Sequence, residues 1–203
     1  YAGIKYDYSE SLMFWADILI DDFQLIIGDW GDNLEPNTYG FLFGVQKVEW
    51  PLKTSKLFFE YTLITNRTYQ ALILEESFTH YTMPIGHHLG NDFDLLVFSY
   101  EQKMIQDKIK SNLIISYIRD GANGLDTPYD MPWKEDENII DNNYFERRPT
   151  SPINKNFQAE ISFDLYLKEQ FWINCGLIYN NYYTSPVSII FRMNFNWNKE
   201  LLY

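Results

Sequence analysis

Three histidines, His80, His87 and His88, fall in one stretch with Asp92 and Asp94 just downstream. Imidazole beside carboxylate is the pairing that ligates zinc or passes protons in acid-base chemistry. Adjacent side chains on an extended chain point to opposite sides, so His87 and His88 are not expected to share one ion. A third ligand would have to be His80 or Asp92. Ser77 with His80 supplies the atoms of a nucleophile and its base, without a recognisable motif around them. Anchoring of a loop by hydrogen bonds is the plain alternative for all three histidines. A second group, Asp21, Asp22, Asp29, Asp32 and Glu35, offers the hard oxygen donors that calcium prefers. Its spacing fits no EF-hand, and the same carboxylates serve equally as turn and cap acceptors. A third group interleaves Trp30, Tyr81 and Trp133 with Asp and Asn. An aromatic ring covers the C–H face of a sugar while planar polar groups bond its hydroxyls; a membrane-interface girdle uses the same residue types. Trp30, Tyr81, Trp133, Asp22 and His87 are therefore the candidate substrate-binding residues. No catalytic residue is assigned, the metal is left unknown, and no cofactor is called for, calcium at the carboxylates being left open.

These residues lie between, or at the ends of, segments in which apolar and polar side chains alternate. The alternation predicts strands over about 11–25, 39–50, 56–69, 92–106, 111–120, 156–168, 171–183 and 188–201, close to the ~9–11 residues of a tilted membrane strand. In the last of them Ile189, Phe191, Met193, Phe195 and Trp197 oppose Arg192, Asn194, Asn196 and Asn198. Between 158 and 168, Ala159, Ile161, Phe163, Leu165 and Leu167 oppose Gln158, Glu160, Ser162, Asp164 and Lys168. Phe163, Leu165, Phe191, Met193 and Phe195 are expected to face outward, with Glu160, Asp164, Arg192 and Asn194 facing inward. The connections alternate in length. Those at 51–55, 107–110 and 169–170 are short, while 21–38, 70–91 and 120–155 are long, and only 183–187 departs from the pattern. Outer-membrane barrels alternate short periplasmic turns with long extracellular loops in this way.

Composition separates the classes of solvent. Apolar residues make up 46% of the chain and mean hydropathy is -0.32. No run approaches the ~18 consecutive apolar residues of a spanning helix, which excludes a helical membrane protein. Aromatic residues make up 18%, and Tyr and Trp are enriched where a protein crosses a membrane interface. A net charge of -12 argues against nucleic acid, whose phosphates need Lys and Arg partners. The single Cys175 cannot form an internal disulfide, so the redox compartment stays open. Residues 1–9 read as a strand followed by a turn at 9–11. The expectation is an all-β chain that forms one segment over 1–203. It would supply about eight or nine C-terminal strands, roughly half, of an antiparallel transmembrane β-barrel of the bacterial outer membrane.

Four strings carry a resemblance. They are Phe14-Trp-Ala-Asp-Ile-Leu-Ile-Asp-Asp-Phe-Gln24, Pro36-Asn-Thr-Tyr-Gly-Phe-Leu-Phe-Gly44, Glu60-Tyr-Thr-Leu-Ile64 and Pro84-Ile-Gly-His-His-Leu-Gly-Asn-Asp92. In order and spacing they resemble the C-terminal half of the capsule assembly proteins of the Wzi family, over about residues 11–94. The resemblance implies an outer-membrane barrel of about eighteen strands. It also implies a lectin rather than an enzyme, whose partners are capsular or surface polysaccharide and outer-membrane lipid. A porin-like channel and an outer-membrane hydrolase using the histidine loop are the rival readings.

Overall fold

The computed structural model describes residues 1–22, 36–71, 79–80, 83–84, 86–105, 108–131, 148–168, 171–182 and 186–195. All regular structure among them is strand: β1 (Ala2–Ser9), β2 (Leu12–Asp22), β3 (Thr38–Val48), β4 (Ser55–Ile64), β5 (Thr79–His80), β6 (Met83–Pro84), β7 (Phe93–Met104), β8 (Ile109–Asp120), β9 (Asn154–Lys168), β10 (Phe171–Asn180) and β11 (Val187–Phe195). Nine of these form one antiparallel sheet in the order β1-β2-β3-β4-β7-β8-β9-β10-β11. The short β5 and β6 pair with each other in the long connection between β4 and β7. Among the described residues β1 and β11 are not joined, so the sheet is open at both edges.

The expected strands are present as neighbours in sequence order, with several ends shortened: the segment predicted to 50 stops at Val48, that predicted to 183 stops at Asn180, and the largest change follows β4. The segment predicted as strand to residue 69 stops at Ile64 and turns over 66–69. Arg67 and Tyr69 adopt φ of 64 and 72, left-handed angles that end a ladder. The final segment is strand as far as Phe195, and its predicted continuation lies outside the described residues.

Register decides what each face carries, because residues paired across an antiparallel ladder share a side. One row runs unbroken across the sheet: Tyr6, Phe14, Val45, Phe59, Phe98, Ile115, Ala159, Tyr179 and Val187. The next row, Leu12, Lys47, Leu57, Tyr100, Leu113, Ile161, Leu177 and Ile189, is apolar but for one lysine and the tyrosine hydroxyl. Phe163 and Phe191 lie on this same face through their common partner Cys175. The opposite face carries Glu60, Gln158, Glu160, Asp164, Asn174 and Arg192.

The apolar face is the uncovered one. Ile18, Phe41, Phe43, Ile161, Phe163, Leu177, Ile189 and Phe191 are all exposed, Ile189 to 81%. The buried cluster of Ile64, Tyr69 and Phe93, with Leu19, Leu95, Ile118 and Leu125 against it, instead joins loop residues to side chains of the polar face. Polar side chains there are paired with one another. The Trp15 indole donates to Glu60 Oε2 at 3.0 Å, and its ring fills the space above Gly44, where a Cβ would lie 2.0 Å from it. Asn174 donates to Asp164 at 2.6 Å, and Lys110 pairs with Glu101 at 2.9 Å.

Candidate functional site

Three stretches of chain meet at the end of the sheet that carries the long connections: the turn after β4, residues 86–92 before β7, and residues 121–131 with 148–153 between β8 and β9. Each supplies polar atoms that the others need. The Asp92 side chain is 1% exposed. Its Oδ1 accepts from the Thr150 N–H at 2.9 Å and hydroxyl at 3.1 Å, and its Oδ2 accepts from the Asn123 N–H at 3.0 Å. The Asp92 carbonyl accepts from the Gly121 N–H at 2.7 Å. A Cβ at position 121 would stand 2.0 Å from this carboxylate, so glycine is what lets the strands' ends close on Asp92. The φ of 58 at Asp92 is one that Asp tolerates better than most residues.

Arg67 and Gln70 tie the first stretch to the third. Arg67 is 2% exposed, with Nη2 on Asp130 Oδ1 and Nε on the Asp130 carbonyl at 3.2 Å. Its guanidinium carbon lies 5.9 Å from the Tyr129 ring centroid. Gln70 Nε2 donates to the carbonyls of Gly124 and Thr127 at 3.0 and 3.1 Å. Thr65 and Thr68 share a hydroxyl contact of 2.9 Å, and Thr65 Oγ1 also accepts from the Tyr39 N–H at 2.9 Å. Polar groups joined by so many hydrogen bonds favour a single loop arrangement.

Of the candidate residues, His87 belongs to this knot and Asp22 stands beside it. The Tyr69 N–H donates to Asp21 Oδ2 at 3.0 Å, and its hydroxyl accepts from the His87 N–H at 3.4 Å. His87 Nδ1 accepts from the Leu89 N–H at 3.2 Å, and its ring centroid lies 4.8 Å from that of Phe93. Burial, and then the neighbouring His88, lower the His87 pKa to about 4, so the ring is neutral at pH 7. The extended chain assumed for His87 and His88 is not what forms: the chain turns at 88–89, and their rings lie tilted by 31° with centroids 4.4 Å apart. Asp22 is exposed, and its N–H donates to Thr38 Oγ1 at 2.9 Å. Trp30, Tyr81 and Trp133 lie outside the described residues, as do Asp29, Asp32, Glu35 and Ser77. Among the described residues no three His, Cys, Asp or Glu side chains gather around a common point. Asp92, once a candidate third ligand, spends both carboxylate oxygens on loop donors.

Beneath the knot, on the polar face, is a cavity of about 480 Å³, within the ~300–1,000 Å³ range of small-molecule sites. Leu19, Leu42, Ile64 and Tyr69 give it apolar walls, and Asp17, Thr62 and His87 give it polar groups. Such a lining suits a molecule with both C–H surface and hydroxyls.

Reasoning from sequence missed Arg67, Gln70, Asn91 and Thr150. A signal for the first existed in Thr65-Asn-Arg-Thr68, a polar run where the alternation should have continued. Asn91 is 1% exposed, and both polar atoms of its side chain lack a hydrogen-bond partner among the described residues. No protein-family model matches this chain, and comparisons with curated proteins and with solved structures likewise return no match.

Proposed function

We propose that this chain is part of a transmembrane β-barrel of the bacterial outer membrane whose outer loops bind exported capsular or surface polysaccharide and help attach it to the cell. The observation that carries the membrane reading is the inversion of the two faces. The loops fold over the polar face, while large apolar side chains stand exposed on the other face along β1 to β3 and β9 to β11. A protein in water would do the reverse, since burial of apolar surface contributes ~25 cal/mol per Å². Lipid also requires that polar groups on its side be satisfied internally. Gln102, on the apolar face, supports this: it donates to Thr54 Oγ1 at 2.6 Å and the Lys103 carbonyl at 2.9 Å, and accepts from the Tyr100 hydroxyl at 2.7 Å.

The polysaccharide reading draws on the aromatic and acidic content of the long connections, on the cavity beneath the knot, and on the resemblance to Wzi proteins. Loops knotted over the polar face favour a plugged barrel over a porin-like channel. For a hydrolase, His87 is poorly suited as a base, because its Nδ1 is engaged by Leu89 and its ring is packed on Phe93. The test combines Trp30→Ala, Tyr81→Ala and Trp133→Ala in the complete protein. Surface polysaccharide retained on cells should fall while the amount of assembled barrel is unchanged. Wild-type retention by the assembled triple variant would return these loops to a structural role.

A further inference from the structure

We propose that the loop-side edge of the apolar face binds the phosphate groups of a phosphorylated glycolipid in the surrounding leaflet, through Arg119, Lys155 and Arg148; this rests on the membrane reading above. The placement comes from register. Arg119 pairs with Asp94 on one side and with Lys155 on the other, all three on the apolar face. The row just inside them is Leu96, Tyr117 and Phe157. Cations seated immediately beyond an apolar, aromatic row stand at headgroup level.

Arg148 joins them from the loop. Its guanidinium carbon lies 4.9 Å from the ring centroid of Tyr39, and it donates to the Tyr39 hydroxyl and, at 3.4 Å, to the Asn37 carbonyl. Tyr39 lies on the same face, paired with Ile20. The Tyr61 hydroxyl reaches Asp94 Oδ2 at 3.4 Å, so Tyr61 lies between Tyr39 and the charged row on this edge.

Charge singles the edge out. The chain as a whole carries -12, yet in this row two cations flank one carboxylate, and a third, Arg148, stands at Tyr39 on the same edge. Asp94 is the buried member, with 5% of its side chain exposed against 38% for Arg119. It accepts from Arg119 Nε at 2.9 and 3.0 Å and from Nη2. That fixes the guanidinium plane and leaves Nη1 to an outside acceptor. Neither Lys155 nor Arg148 forms an ion pair with a described residue. Like charges directly opposed across a ladder repel. An anion shared by Arg119 and Lys155 turns that cost into two charge-assisted hydrogen bonds.

The complete protein would be reconstituted in bilayers containing lipid A and in matched bilayers with dephosphorylated lipid A. Its association with each labelled glycolipid would be measured by energy transfer from tryptophan. The wild type should prefer the phosphorylated form by about fivefold for each engaged cation. Lys155→Gln combined with Arg148→Gln should remove most of that preference. Arg119 is left intact because its loss would strand Asp94, and Lys155→Gln alone, at an exposed position, serves if the double variant assembles poorly. Insertion in both bilayers without a wild-type preference, or with one that survives the substitutions, overturns the proposal. Loss of the wild-type preference on adding inorganic phosphate equimolar with the lipid phosphates assigns the site to a free anion and overturns it too. Failure to insert in any bilayer overturns the membrane reading itself.

Discussion

His87 and Asp92 each hold the loop knot by a chemistry that a single substitution can isolate. With a pKa lowered to about 4 from an ordinary 6.5, His87 remains neutral in the fold over a range where the unfolded chain takes up a proton. Stability from this residue is therefore complete above pH 6.5 and is lost as pH falls toward 4. Protonation would also remove the acceptor of the Leu89 N–H. Hydrogen exchange at Leu89 should accelerate across that window relative to strand amides. His87→Phe keeps a ring against Phe93 and should flatten the dependence; an unchanged pH profile in that variant would assign the titration elsewhere. Asp92→Ala removes the acceptor of three partly buried donors and places a poorly suited residue at positive φ. It should destabilise the knot by about 3 kcal/mol, while Asp92→Asn, which tolerates that φ and keeps one acceptor oxygen, should cost distinctly less. Chemical unfolding of the two variants side by side measures the difference, and equal losses would show that the carboxylate is not the anchor.

Two neighbouring residues of β8 separate the faces most sharply. Ile115 lies in the unbroken apolar row and Ser116 lies beside Gln158 on the polar face. In a bilayer Ile115→Arg should cost about 2–4 kcal/mol, as arginine does near the midplane of a lipid face, while Ser116→Arg should cost under ~1 kcal/mol as a substitution facing polar neighbours. Denaturant titration of the protein folded into vesicles would read both, and a smaller cost at Ile115 than at Ser116 would reverse the assignment of the faces. At this scale the sequence was most legible. A period of two is a local property, so β9 to β11 and the sides of Phe163, Glu160, Phe191 and Arg192 could be read from alternation alone. The blurred segments became clear only with register: Trp15 stands on the polar face because Gly44 leaves room for it and Glu60 takes its N–H, a pairing across 45 residues. The knot was legible only in part for the same reason. Arg67 and Asp130, or Asp92 and Thr150, are far apart in sequence and carry no local pattern. The β5–β6 hairpin was missed because two-residue strands are too short to show a period.

For the whole molecule, the open edges are the governing fact. In an outer-membrane barrel every backbone N–H and C=O within the lipid must be paired, which only closure achieves. Here β1 pairs only with β2, and β11 only with β10, among the described residues. All residues of β1 are exposed, and Ile189, Phe191 and Met193 of β11 are among the most exposed apolar residues of the chain. An edge with unpaired backbone and apolar flanks recruits other strands. Residues 1–203 expressed alone should consequently aggregate in detergent or assemble through their edges. Strands from the rest of a longer chain, or from a second copy, would remove the cause by pairing with β1 and β11. Size-exclusion chromatography with light scattering distinguishes the outcomes, and cysteine pairs placed across candidate edge contacts would identify which strand completes the ladder. A monodisperse, cooperatively melting monomer in plain buffer would contradict the proposal that the apolar face meets lipid, and would instead make this sheet an independent β domain in water.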